Sequence, residues 1–274
     1  MMIYLAGSFL PAFFSPRPPM HSSPASLPPL RPALLALSFP MLAMLLAGVF
    51  IAMRVMGTLG PLDLFWMLPL SFCVMAALPW ILLSPHGRRS IGLQAPSGKA
   101  PYALALICGA AAALLCFALG MLLYDATPDN WFVSIATSFR RTAPTAGLSI
   151  WMLHLMITVP ACIFSPIGEE IFFRGVLQKA LEEKLSVRGS TCVEAGLFGL
   201  AHLCHHGLSM TAAGLSLNVV SAAVWVVLMF ATACLFAWLR RRHASLWPAM
   251  AAHAAFNLTM NAVIFQFLWP TSPL

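Results

Sequence analysis

Glu169 and Glu170 stand side by side, and Arg174 follows four residues later, in a chain that is 60% hydrophobic and only 8% charged. A charged side chain at mid-bilayer depth costs about 2.5–3.5 kcal/mol on insertion scales, so three together must face the protein interior and act there. Glu170 and Arg174 share a helix face, which makes an ion pair between them sterically natural. Glu169 points about 100° away along the same helix, free to face a cavity. Two bare carboxylates side by side would drive one another towards protonation. With Arg174 keeping Glu170 ionised, Glu169 is left as a tunable general base.

Two further pairs repeat the four-residue spacing. Phe198 and His202 are separated by Gly199-Leu200-Ala201, whose small residues allow close helix approach. An imidazole there can orient a water or carry a proton. His253 and Asn257 form the other pair, a set of donors able to cradle a developing oxyanion. Glu194 lies in Thr191-Cys192-Val193-Glu194, which has capping-box spacing, and reads as a helix-start residue. His205 and His206 read as interface or loop residues, and Asn261 as interhelical hydrogen-bond glue. Glu169, His202 and His253 are also of types that bind zinc. That reading comes second, because His253 and Asn257 work better as paired donors and asparagine is a poor zinc ligand. The expected cofactor is therefore none.

The elements that must position these groups are membrane spans. Apolar runs near 33–53, 62–83, 101–124, 148–165, 191–208, 214–239 and 245–269 predict an all-α polytopic transmembrane bundle of about seven spans, seven to eight. With the N-terminus in the cytosol, 12 of the 15 Lys and Arg fall in inside segments, and Arg54, Arg140 and Arg141 outside. This split follows the positive-inside bias and puts the C-terminus outside. The net charge of +7 thus records loop orientation and contact with anionic lipid, and no nucleic-acid partner is expected. Counting along each helix places Glu169, His202 and His253 roughly 12–17 Å from its cytosolic end, at one common level.

Residues 1–32 hold eight prolines and read as a disordered cytosolic tail. Residues 33–146 then form the N-terminal helices and 147–270 a catalytic core. The seven cysteines are scattered without a CxxC and read as packing residues. The 125–147 loop carries no readable motif. No Gly-x-Ser-x-Gly or His-Glu-x-x-His occurs, so serine-hydrolase and zincin chemistry lack their motifs.

Glu169-Glu170-x-x-x-Arg174-Gly175, Phe198-x-x-x-His202 and His253-x-x-x-Asn257, in this order, resemble the three signature motifs of the CPBP family, the CAAX-protease and bacteriocin-processing or abortive-infection proteins. The resemblance covers roughly residues 148–260. It implies a glutamate-dependent, metal-independent intramembrane endopeptidase of a bacterial inner membrane, with a cavity open to the cytosol. Its substrate would be a membrane-anchored or lipidated protein or peptide. Glu169 with His202 would activate the water, His253 and Asn257 would line the oxyanion hole, and Glu170 and Arg174 would support them. Other functions stay open: a non-catalytic scaffold or immunity protein, a zinc-dependent membrane protease, or a proton-coupled transporter. No internal repeat of the kind transporters show is visible.

Overall fold

The computed structural model describes residues 30–34, 37–142, 147–211 and 214–269. The predicted tail therefore lies almost wholly outside the described residues. Helices α1 (Phe39–Leu59), α2 (Met67–Leu82), the short α3 (Pro85–Ser90), α4 (Ala100–Tyr124) and α5 (Trp131–Thr142) make the N-terminal half. Helix α6 (Ile150–Glu169) passes without a break into a π-helical stretch, Glu170–Leu177, and a last α-helical turn, Gln178–Leu181. It is followed by α7 (Val187–Ala201), the hairpin β1 (Leu208–Thr211) and β2 (Gly214–Leu217), α8 (Val219–His243) and α9 (Trp247–Val263). A π-helical turn, Ile264–Leu268, extends α9.

The long helices run alternately between two ends of an all-α bundle. Leu30 bridges Leu83, Leu246 N–H donates to Gly92 O, and the Arg240 guanidinium reaches Ser90 O at one end. At the other, Arg141 donates to Thr58 O, and Asn218 Nδ2 to Asp129 Oδ1 at 2.6 Å. The first end carries Arg88, Arg89 and Arg240 to Arg242 and is called here the basic end; the second carries the hairpin.

Among the described residues, five helices are long and apolar enough to cross a membrane: Phe39–Leu59, Leu62–Leu82, Ala100–Tyr124, Ile150–Leu181 and Val219–His243. Their exposed Leu, Val, Ile, Trp and Met side chains face outward as lipid would require. The two remaining expected spans are helical but shorter. The run at 191–208 starts earlier, with Ser186 accepting from Gly189 N as the N-cap, and stops at Ala201. Fifteen residues reach only about 22 Å, short of a hydrocarbon core of about 30 Å. The chain then turns through His202–Cys204 into the hairpin, an element absent from the sequence reading. Helix α9 has 17 residues before its π-helical turn.

The 125–147 segment also holds structure the sequence reading missed. Helix α5 buries Trp131, Phe132, Val133, Ile135 and Ala136 and keeps Arg140 and Arg141 in its last turn, an amphipathic helix packed across the hairpin end. Close backbone approach elsewhere relies on missing side chains. A Cβ at Gly168 would lie 2.5 Å from Phe72 O, so α2 meets α6 one residue before the glutamates only because Gly168 has none.

Candidate active site

Helix α6 changes its winding at the residues that carry charge. Pro166 supplies no N–H to the turn before it, and Glu169 ends the α-helix while Glu170 opens the π-helix. Short π-helical insertions of this kind concentrate at functional sites. The adjacent glutamates reach different partners. Glu169, Glu170, Arg174 and Gln178 are all fully buried.

Glu170 keeps the partner expected of it: Arg174 Nη1 lies 3.1 Å from Glu170 Oε1. The same oxygen is 2.8 Å from His253 Nδ1. Since a carboxylate only accepts, Nδ1 carries the proton, and this fixes the ring of His253. Arg174 Nε lies 3.4 Å from Glu194 Oε1, on α7. Glu194 is fully buried in the middle of its helix, so the helix-start reading is corrected; Ser186 does that work eight residues earlier. The Arg174 guanidinium also sits 4.0 Å from the Phe198 ring centroid and 5.4 Å from that of Phe236. Phe198, in the Phe-x-x-x-His pair, is thus a π-platform for the arginine.

Glu169 has a partner that the sequence reading placed elsewhere. Arg54 of α1, assigned there to an outside loop, is buried and its Nη1 forms an ion pair with Glu169 Oε1. Its depth follows from α1 packing against the π-helical stretch that continues α6 and from this pairing, neither visible in local hydropathy. Arg54 Nη2 donates to His205 Nε2 at 2.9 Å and lies 3.4 Å from His202 Nε2. His202 in turn holds Phe198 O through Nδ1 at 2.7 Å, which leaves Nε2 as the acceptor. The link seen between Glu169 and His202 therefore runs through Arg54.

The second oxygen of Glu169 is different. Oε2 is buried, has no hydrogen-bond partner, and lies 3.9 Å from His253 Nε2. Asn257, the next residue of that face of α9, donates from Nδ2 to Ala161 O at 2.9 Å, one of the two N–H groups it has. Asn261 donates to Thr158 Oγ1 at 3.1 Å, the interhelical bond anticipated.

Arg54, Phe72, His202, His205, His253 and Asn257 line a mostly apolar cavity of about 170 Å3 in the bundle. His205 also lines a second cavity of about 590 Å3 at the hairpin end, walled by Thr58, Asp129, Ser134, Arg141, His206 and residues of β1. His205 is thus the shared wall between an outer vestibule and the inner site, more than a loop residue. His206 is a bridge, with Ser134 Oγ at 2.8 Å from Nδ1 and Ser221 Oγ at 2.9 Å from Nε2. Among the described residues no three His, Cys, Asp or Glu side chains converge as metal ligands. The space between Glu169 and His202 holds the Arg54 guanidinium.

No curated protein and no solved structure matches the chain. Residues 150–259 match a family model described as Type II CAAX prenyl endopeptidase Rce1-like. The matched segment holds both glutamates, Arg174, Phe198, His202, His253 and Asn257, and leaves Arg54 outside. Over that segment, less than half of the chain, the protein is similar to the CAAX-protease family, and the matched motifs sit on an all-α membrane bundle.

Proposed function

We propose that the protein is an intramembrane endopeptidase that hydrolyses a peptide bond in a membrane-anchored or lipidated protein, using a water activated by Glu169 and no metal. The observation that carries this is the unpartnered, buried Oε2 of Glu169 facing His253 Nε2 across 3.9 Å. Two acceptors at that separation suit one water donating to both, since each O–H···acceptor bond spans about 2.8 Å. The water oxygen attacks the scissile carbonyl carbon as its proton passes to Oε2. The tetrahedral oxyanion accepts from the second N–H of Asn257. Glu169 then returns the proton to the leaving amine nitrogen as the C–N bond breaks, giving a carboxylic acid and an amine.

His253 steers the water, and Glu170 with Arg174 holds the tautomer of His253. This departs from the expectations that His202 shares the water with Glu169 and that His253 lines the oxyanion hole, because Arg54 lies between Glu169 and His202 and, with its proton on Nδ1, His253 Nε2 can only accept. The apolar lining of the inner cavity suits a lipid-bearing or hydrophobic peptide.

Purified wild type and Glu169→Gln, reconstituted in liposomes, are to be offered a panel of lipidated and membrane-anchored peptides. Wild type is expected to cleave at least one, and Glu169→Gln to lose about 100-fold or more, the range of a general base. Equal activity in both would sink the reading. Reversible loss with a chelator would sink its metal-free part.

A further inference from the structure

We propose that Arg54 is a positioning residue for the hydrolysis: α1 carries its guanidinium across the site to hold one oxygen of Glu169, so that the other alone faces the water. This rests on the reading of Glu169 as the general base. The two carboxylate oxygens of Glu169 are unlike. Oε1 is paired with Arg54, while Oε2 has no partner and faces His253. A carboxylate free to rotate would present either oxygen at random. One pinned by a fixed cation presents a single lone pair in a single direction, which is what a base in a preorganised site needs.

Arg54 is itself held on several sides. His205 Nε2 accepts from its Nη2 at 2.9 Å and from its Nε at 3.3 Å, and His202 Nε2 lies 3.4 Å from Nη2. The Phe72 ring centroid is 5.8 Å from the guanidinium carbon. Those histidines have no negative charge to offer, so the cation is directed at Glu169. The arrangement also answers how adjacent buried carboxylates coexist. Glu170 has Arg174 on its own helix and Glu169 has Arg54 from another, one guanidinium for each. A buried carboxylate stripped of its cation is strongly disfavoured, which makes the two arginines necessary in the same way.

The test uses the full chain and a fluorogenic farnesylated peptide with a free C-terminal carboxylate. Arg54→Met is expected to lower kcat about 100-fold, the cost of a small misplacement of a catalytic group, with KM moved less than about threefold. Arg54→Lys, which keeps a cation able to reach Oε1, is expected to recover kcat to within about tenfold of wild type. A second readout needs no substrate: thermal unfolding in detergent of Arg54→Met, Glu169→Gln and the double variant. The double variant is expected to be more stable than the sum of the single losses, because it leaves no unpaired buried charge. A rise in KM at unchanged kcat would overturn the proposal in favour of substrate binding by Arg54. Equal inactivity of the Met and Lys variants with additive stabilities would overturn it in favour of packing. Should Arg54→Met fail to fold, Arg54→Lys and the double variant carry both readouts. A wild type no more active than Glu169→Gln on this peptide and on every peptide of the panel takes down the protease reading and this inference with it. An active wild type with additive, unrescued variants takes down this inference alone.

Discussion

At the scale of single residues, the site is a set of polar atoms each given one job by its neighbours. His253 cannot turn, because Nδ1–H is held by Glu170; His202 cannot turn, because Nδ1–H is held by Phe198 O. Asn257 is held by Ala161 O through one N–H, which leaves the other for the oxyanion of the proposed hydrolysis. A donor that acts on charge developed in the transition state raises kcat without changing ground-state binding. Asn257→Ala is therefore expected to cut kcat by about 100-fold with KM little altered, as for other single oxyanion donors. Steady-state kinetics check this; an equal loss confined to KM would make Asn257 a packing residue. Glu170, Arg174, His202, His253 and Asn257 were legible in the sequence because each sits at a four-residue spacing that a helix converts into a shared face. Arg54 was not legible, for it meets Glu169 across 115 positions and stands alone in an apolar run where hydropathy reads it as a span end. Glu194 was misread for a related reason: a capping-box spacing occurs by local accident, and only the third dimension shows Arg174 beside it.

At the scale of elements, α6 matters most, since its passage from α- to π-helix falls between the two neighbouring carboxylates, which reach different partners, Arg54 and Arg174. The π-helix was not legible, because nothing in residue type or spacing distinguishes it from the α-helix it continues. The hairpin and the short α7 escaped notice as well; an apolar run through 191–208 reads as one span, yet His202 to Cys204 tighten into a 3-10 turn that ends it. Helix α2 fixes the other side of the transition by lying against Gly168. A Cβ there would meet Phe72 O at 2.5 Å and Phe72 Cα at 2.8 Å, both backbone atoms with no rotamer to yield. Gly168→Ala must then push α2 and α6 apart beside Glu169. It is expected to lower stability by about 1–3 kcal/mol, the usual cost of overpacking, and to lower kcat by more than the folded fraction accounts for. Thermal unfolding in detergent alongside turnover separates the two effects. A fully stable, fully active Gly168→Ala would show that α2 has no part in holding the glutamates.

At the scale of the whole molecule, the charges and the cavities point in opposite senses. Arg54 and Arg174 lie inside the bundle and do not report orientation. Without them the asymmetry sharpens: Arg88, Arg89, Lys184, Arg188 and Arg240 to Arg242 gather at one end, against Arg140 and Arg141 at the other. By the positive-inside bias the basic end is expected to face the cytosol. The vestibule of about 590 Å3 opens at the hairpin end, among Asp129, Ser209 and Asn218. On the charge argument that mouth would face away from the cytosol, against the cytosol-open cavity that family resemblance implies. Charge bias acts through loops close to the spans, and here it rests on many residues in three separate connections, so it is the stronger of the two. The expected outcome is that Asp125→Cys, at the hairpin end, reacts with a membrane-impermeant maleimide in intact cells, while Arg89→Cys reacts only after permeabilisation. The exposed Cys73 and Cys192 are first replaced by alanine so that they give no background. The reverse labelling pattern would turn the vestibule to the cytosol and show that the basic end owes its charge to something other than topology. In the expected orientation the vestibule would receive a substrate of the proposed protease from the outer leaflet side, and a peptide anchored only in the inner leaflet is expected to be cut slowly however well its sequence fits the site.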